Sequence, residues 1–103
     1  MNKSSQKLEQ ISRQCDSHIS FYKYNSQNTL SDKYKKGRVD ASLWLNEMIY
    51  FFLNKEKNFL HDFDEEIKRQ KVKVNNVKNP NYKQGLIDEL SIIQELIHDR
   101  DFN

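Results

Sequence analysis

Residues 44–63, WLNEMIYFFLNKEKNFLHDF, decide how this chain folds. Eight of the first ten side chains are apolar, the least polar stretch of a charged, Asn-rich sequence. The polar run NKEKN follows, and the apolar pattern resumes at Phe59. At a helical period, Leu30, Tyr34, Ala41, Leu45, Met48, Phe52, Phe59, Phe63, Ile67, Val74 and Val77 fall near one face. The stripe crosses NKEKN in phase, with no Pro or Gly to break it. The spacing therefore predicts one helix over about 31–75, roughly 65 Å long. A kink within 54–58 is the alternative, and it would fold the chain into a compact four-helix unit.

Working outward, Thr29 or Ser31 is placed to cap this helix, with Asp32 favourably near its positive end. At the other end VNNVKNPN stops it, because paired Asn residues tolerate a helix cap and Pro80 forbids continuation. A further helix is expected over about 81–99, with Asn81 as N-cap, Gln84 three residues on, and a stripe of Tyr82, Leu86, Leu90, Ile93 and Ile97. Upstream, Leu8, Ile11, Cys15, His18 or Ile19, and Tyr22 share the stripe of a helix over about 4–24. The expected fold is all-α: a single domain over 1–103 with one long central helix and two shorter flanking helices. The flanking helices are too short to cover the long one. A helical bundle or hairpin completed by dimerisation follows, and a homodimer is the expected assembly.

Bulk properties agree with a helical chain and exclude several function classes. With 103 residues, there is room for one modest core. Two Gly and one Pro are too few for the turns of a small β-domain. Twelve aromatics argue against disorder despite 31% charged residues. Lys plus Arg number 17 and Asp plus Glu 15, so the net charge of +2 carries no chain-wide footprint for nucleic acid or an anionic membrane. The apolar decade is about half a bilayer span and is interrupted by Asn46 and Glu47, so no membrane partner is expected. A lone Cys15 makes no internal disulfide, and MNKSSQKLEQISRQC has no apolar signal region; a reducing, cytoplasmic setting is the expectation.

Candidate chemistry is sparse. Cys15 and His18 lie three apart on one helix, but no Gly-rich turn or orienting third residue accompanies them. Glu95 and His98 have the spacing of a carboxylate-bridged di-iron motif, and His61 with Glu65 has a chelating i, i+4 spacing. A di-iron bundle needs two such motifs and two further Glu, and only one motif is present, so neither metal nor cofactor is expected. Two Gly also leave no phosphate-cradling loop. The chain reads as a non-enzyme.

What remains is binding. Leu43 and Tyr50 project away from the broad face formed by Ala41, Trp44, Leu45, Met48, Ile49 and Phe52, and Phe51 lies on its flank. A helix apolar nearly all round calls for burial nearly all round, which implies an interface. The expected function is a protein-interaction module, an adaptor, chaperone-like partner or inhibitor/immunity factor, using Trp44, Met48, Tyr50, Phe51 and Phe52. Gly37 and Ala41, four apart, would admit a close helix neighbour; the bland alternative is that Gly37 marks a helix start or kink. The second functional reading is a small nucleic-acid-associated regulator. It would use Lys68, Arg69, Lys71, Lys73, Lys78 and Lys83, six basic residues in 68–83 with no acid among them.

Overall fold

The computed structural model describes residues 3–24, 29–55 and 59–99. They form four helices: α1 (Lys3–Tyr24), α2 (Asp32–Leu53), α3 (Phe59–Val74) and α4 (Pro80–His98). The class is all-α, as the periodicity predicts, but the single helix over 31–75 is two helices. Asn54 ends α2 by local chemistry. Its backbone N–H serves the carbonyls of Phe51 and Phe52, and its side-chain amide donates to the carbonyl of Tyr50 at 3.2 Å. Lys55 N–H bonds the Phe52 carbonyl at 3.0 Å, so the last turn tightens and its open carbonyls are met without further helix. Positions 56–58, the rest of the stretch named for a kink, lie outside the described residues.

The two helices fold back on each other, and the Phe52 and Phe63 rings meet edge-on at 6.1 Å between centroids. An in-phase stripe does not distinguish a rod from a hairpin, because two antiparallel helices turn the same stripe inward. The energy favours the hairpin, since a bare rod leaves its apolar face in water. The longest dimension is 40 Å, short of the length a continuous helix would need. Leu8, Ile11, Leu45, Ile49, Phe63, Ile67 and Ile93 are all fully buried in one cluster within the chain. The bare helix that called for a second copy therefore does not exist.

Local signals set the other boundaries. Ser31 caps α2 through its hydroxyl, which accepts from Tyr34 N–H at 3.1 Å, with Asp32 in the first turn. The cap of α4 is Asn79, not Asn81: its side-chain oxygen accepts from Tyr82 N–H at 3.0 Å. Pro80 then occupies the first helical position, where its missing N–H costs nothing. Lys7 Nζ donates to the carbonyls of Ile97 and Asp99, each at 2.8 Å, placing a cation on the negative end of α4.

These contacts also give the helix directions. Ser12 of α1 meets Asn46 of α2, and Tyr22 near the end of α1 meets Tyr34 near the start of α2. Lys7 meets the end of α4, and His18 meets Glu89. Both α2 and α4 therefore run counter to α1, and they cross each other at Gly37 and Gly85.

The crossing exposes an internal repeat. YKKGRVD (34–40) and YKQGLID (82–88) stand 48 residues apart, and contacts recur at the same interval. Tyr34 donates to Asp88 at 2.7 Å, and Tyr82 donates to Asp40 at 2.6 Å. Lys36 reaches Asp40 at 2.7 Å, and Gln84 reaches Asp88 at 2.6 Å. Asn46 donates to Asp16 at 2.9 Å, and Gln94 donates to Asp64 at 3.1 Å. Ser31 and Asn79 cap the paired helices. Hairpin α1–α2 and hairpin α3–α4 are thus two copies of one motif about a pseudo-two-fold axis.

The notion that Gly37 admits a neighbouring helix holds, and the neighbour is α4 of the same chain. A Cβ on Gly37 would overlap the Tyr82 carbonyl oxygen and lie 2.9 Å from Leu86 N. A Cβ on Gly85 would overlap the Tyr34 carbonyl oxygen and lie 3.0 Å from Arg38 N. Backbone meets backbone, so nothing flexible yields. Gly→Ala in a helix otherwise gains about 1 kcal/mol. Here Gly37→Ala and Gly85→Ala are each expected to cost about 1–3 kcal/mol through overpacking, read as a lower urea midpoint at unchanged slope.

Candidate functional site

The residues singled out in the apolar decade divide by face. Phe52 is buried, and Trp44 and Met48 pack, partly buried, against the same core. These three serve the chain's own fold. Tyr50 and Phe51 are 62% and 51% exposed, and Leu43 joins them at 49%. Leu43, Tyr50 and Phe51 are spaced by seven and eight residues, so they form a strip along the outside of α2. Lys55 Nζ sits over the Phe51 ring, 4.4 Å from its centroid.

Asn46, which interrupts the apolar run, is itself buried, and it ties α2 to α1. Its amide donates to Asp16, and its oxygen accepts from Ser12 at 2.8 Å. In the second hairpin Gln94 plays this part, donating to Asp64 and accepting from Lys71 at 2.5 Å.

The basic residues of 68–83 are not gathered into a free patch. Lys68 pairs with Asp64 and Glu65, at 3.4 and 3.3 Å, and Arg69 pairs with Glu66. The hydrogen bond to Glu65 and the neighbouring carboxylates raise the Lys68 pKa, and Glu66 likewise raises that of Arg69. Lys71 is occupied by Gln94, and Lys83 reaches the Asn75 carbonyl at 3.4 Å. Lys73 and Lys78 remain exposed. Carboxylates one turn earlier on α3 thus answer two of the six cations.

The candidate side-chain pairs of the sequence are partnered or placed otherwise. Cys15 is fully buried, and burial, with Glu89 and Asp16 nearby, pushes its thiol far above the usual range. At neutral pH it carries no thiolate. His98 Nε2 lies 3.3 Å from Asp64, Glu95 is exposed, and His61 is exposed. Among the described residues, no three His, Cys, Asp or Glu side chains come together as a metal site. Among them, too, no helix is long and apolar enough to cross a membrane.

Sequence reasoning missed the polar centre of the molecule. Glu89 is fully buried, and its two oxygens hold Arg38 Nε at 2.9 Å and His18 Nδ1 at 2.7 Å. Arg38 is buried as well; it donates to Tyr34 Oη at 2.9 Å and stacks 4.5 Å over the Tyr22 ring. Burial alone would lower the guanidinium pKa, but Tyr34 and Glu89 outweigh it and leave the group above its ordinary value. Both Glu89 oxygens are engaged, so the triad fixes three helices and offers no open base. On the other side of the pseudo-axis, Leu86 and Ala41 stand where Arg38 and Glu89 do. The 48-residue repeat is the signal that could have found this site, because it matches a charged residue with an apolar one at both positions.

The chain matches no known family model, no curated protein and no solved structure.

Two outcomes test the polar centre. Glu89→Leu strands a buried guanidinium and is expected to destabilise by about 3–5 kcal/mol. Arg38→Leu with Glu89→Ala, which copies the Leu86 and Ala41 pair, is expected to recover most of that loss in denaturant titrations.

Burial and the bond to Asp40 raise the Tyr82 phenol from 10.0 to about 12. The unfolded chain then loses this proton first as pH rises. Stability from Tyr82 is full below pH 10.0 and declines toward pH 12. Tyr34, raised chiefly by burial and then by its bond to Asp88, acts in the same direction. Tyr82→Phe is expected to flatten that alkaline decline, followed by circular dichroism against pH.

Proposed function

We propose that this chain is a non-enzymatic protein-interaction module, an adaptor, chaperone-like partner or inhibitor, that presents the outer strip of α2 to an apolar helix of another protein. One observation carries the reading. The repeat supplies an internal control for what the fold requires on the outside of this helix. At the positions matching Leu43, Tyr50 and Phe51, α4 and its C-cap carry Ser91, His98 and Asp99. The motif therefore folds with polar residues there, and the apolar strip on α2 is not a demand of packing.

Leu43, Tyr50 and Phe51 together expose on the order of 400 Å², the size of a functional patch on a monomer. A standard interface buries about 800 Å² per partner. Alone, the strip suits the central anchor of a contact, where aromatic side chains carry most of the energy. This favours a different protein over a second copy as the partner, since the core is closed within one chain.

The triple variant Leu43→Ser, Tyr50→His, Phe51→Asp copies the second hairpin onto α2. It is expected to change folding stability by no more than about 0.5 kcal/mol and to abolish capture of the partner in pull-downs. A wild-type mass that doubles in light scattering and reverts in this variant would make the partner a second copy. Capture that survives the variant but weakens steeply with added salt would instead favour the nucleic-acid reading.

A further inference from the structure

We propose that a cavity between α2, α3 and α4 is a binding site for a small amphipathic carboxylate, whose apolar body lies against Trp44 and Leu86 and whose charge meets Lys73. The cavity has a volume of about 310 Å³. Its walls are Ala41, Trp44, Val74, Val77, Leu86 and Leu90. Asp40, Gln70, Lys73 and Tyr82 complete it on the polar side.

The repeat gives this space a counterpart for comparison. Across the pseudo-axis the position of Leu86 is held by Arg38, stacked on Tyr22 and bound to Glu89. Leu86, Gln70 and Ala41 occupy those three positions on the cavity side. Each is shorter than its counterpart, and the guanidinium has no equivalent. The cavity therefore lies where the repeat replaces a bonded Arg38–Glu89 pair with Leu86 and Ala41.

Size and charge select the ligand class. An engineered apolar cavity of about 150 Å³ takes benzene, and small-molecule pockets begin near 300 Å³. A body of two fused rings, or an aliphatic chain of similar volume, matches the space. The Asp40 carboxylate is already engaged, accepting from Tyr82 Oη at 2.6 Å and pairing with Lys36 at 2.7 Å. The Lys73 ammonium has no hydrogen-bond or ion-pair partner among the described residues. This is the unanswered charge at the rim, and a carboxylate answers it.

Trp44 is the only tryptophan in the chain, so its emission reports the cavity directly. The test titrates the full chain with 2-naphthoate and with decanoate, using 2-naphthalenemethanol as the uncharged control. Saturable change of Trp44 emission by a carboxylate is the expected result, with naphthoate or decanoate preferred according to whether the body is aromatic or aliphatic. Lys73→Gln should weaken the carboxylate about fivefold, the size of an exposed ion pair, and leave the alcohol unchanged. Leu86→Phe fills the space and should remove binding. Should that variant fail to fold, methyl NMR of the wild type decides: ligand shifts must centre on Ala41 and Leu86. The proposal is overturned by an unresponsive Trp44, by shifts centred elsewhere, or by full affinity in folded Leu86→Phe. Equal carboxylate affinity in Lys73→Gln overturns the ligand class.

Discussion

Two helix backbones touch where Gly37 of α2 faces Gly85 of α4, and every other layer of the molecule is arranged around that contact. Any side chain at either position would drive the helices apart. With no side chain there, the carbonyls of Tyr34 and Tyr82 come against the opposite glycine. The tyrosine rings are then carried across the crossing to Asp88 and Asp40. The outer helices follow: α1 is tied through Asn46, and α3 through Gln94. The close approach thus sets the reach over which the polar side chains find their partners.

The buried charges are the main departure from this symmetry. Desolvating Arg38 and Glu89 is costly, and the Coulombic return depends on near-complete hydrogen bonding. Tyr34 Oη accepts from Arg38 Nη1, the guanidinium lies over the Tyr22 ring, and His18 Nδ1 meets the second Glu89 oxygen. At the two matching positions the other side of the axis carries Leu86 and Ala41. One motif therefore contains two solutions to the same packing problem, a bonded ion pair at one place and a pair of apolar side chains at the other.

The helical class and the inward stripes were legible from periodicity. Leu8, Ile11 and Cys15 in α1, and Leu90, Ile93 and Ile97 in α4, are buried as their spacing requires. Ser31 was readable as a cap because its hydroxyl precedes an apolar pattern at the right distance. The break at Asn54 was not, since the stripe stays in phase across it and neither Pro nor Gly marks it. What ends the helix there is an amide turning back on the Tyr50 carbonyl, and solvated Asn residues give no hint of that choice. Of the proposed contact residues, Tyr50 and Phe51 face outward, while Trp44, Met48 and Phe52 were claimed by a core that the three-helix picture could not supply. Gly37 was recognised as a close-approach position, but its counterpart Gly85 was overlooked. Comparing the chain with itself at an interval of 48 residues would have found both.

A symmetric dimer of identical hairpins would place each residue on both sides of its axis. An arginine chosen for one side would reappear on the other, and a sticky outer strip would come in pairs. Carrying both hairpins in one chain removes that constraint, because each position exists twice in the gene and is free to differ. Arg38 is answered by Glu89 where an exact copy would have repeated Ala41, and the outside of one helix is apolar while its counterpart is polar. The covalent link between the halves turns a two-sided object into one with a front and a back.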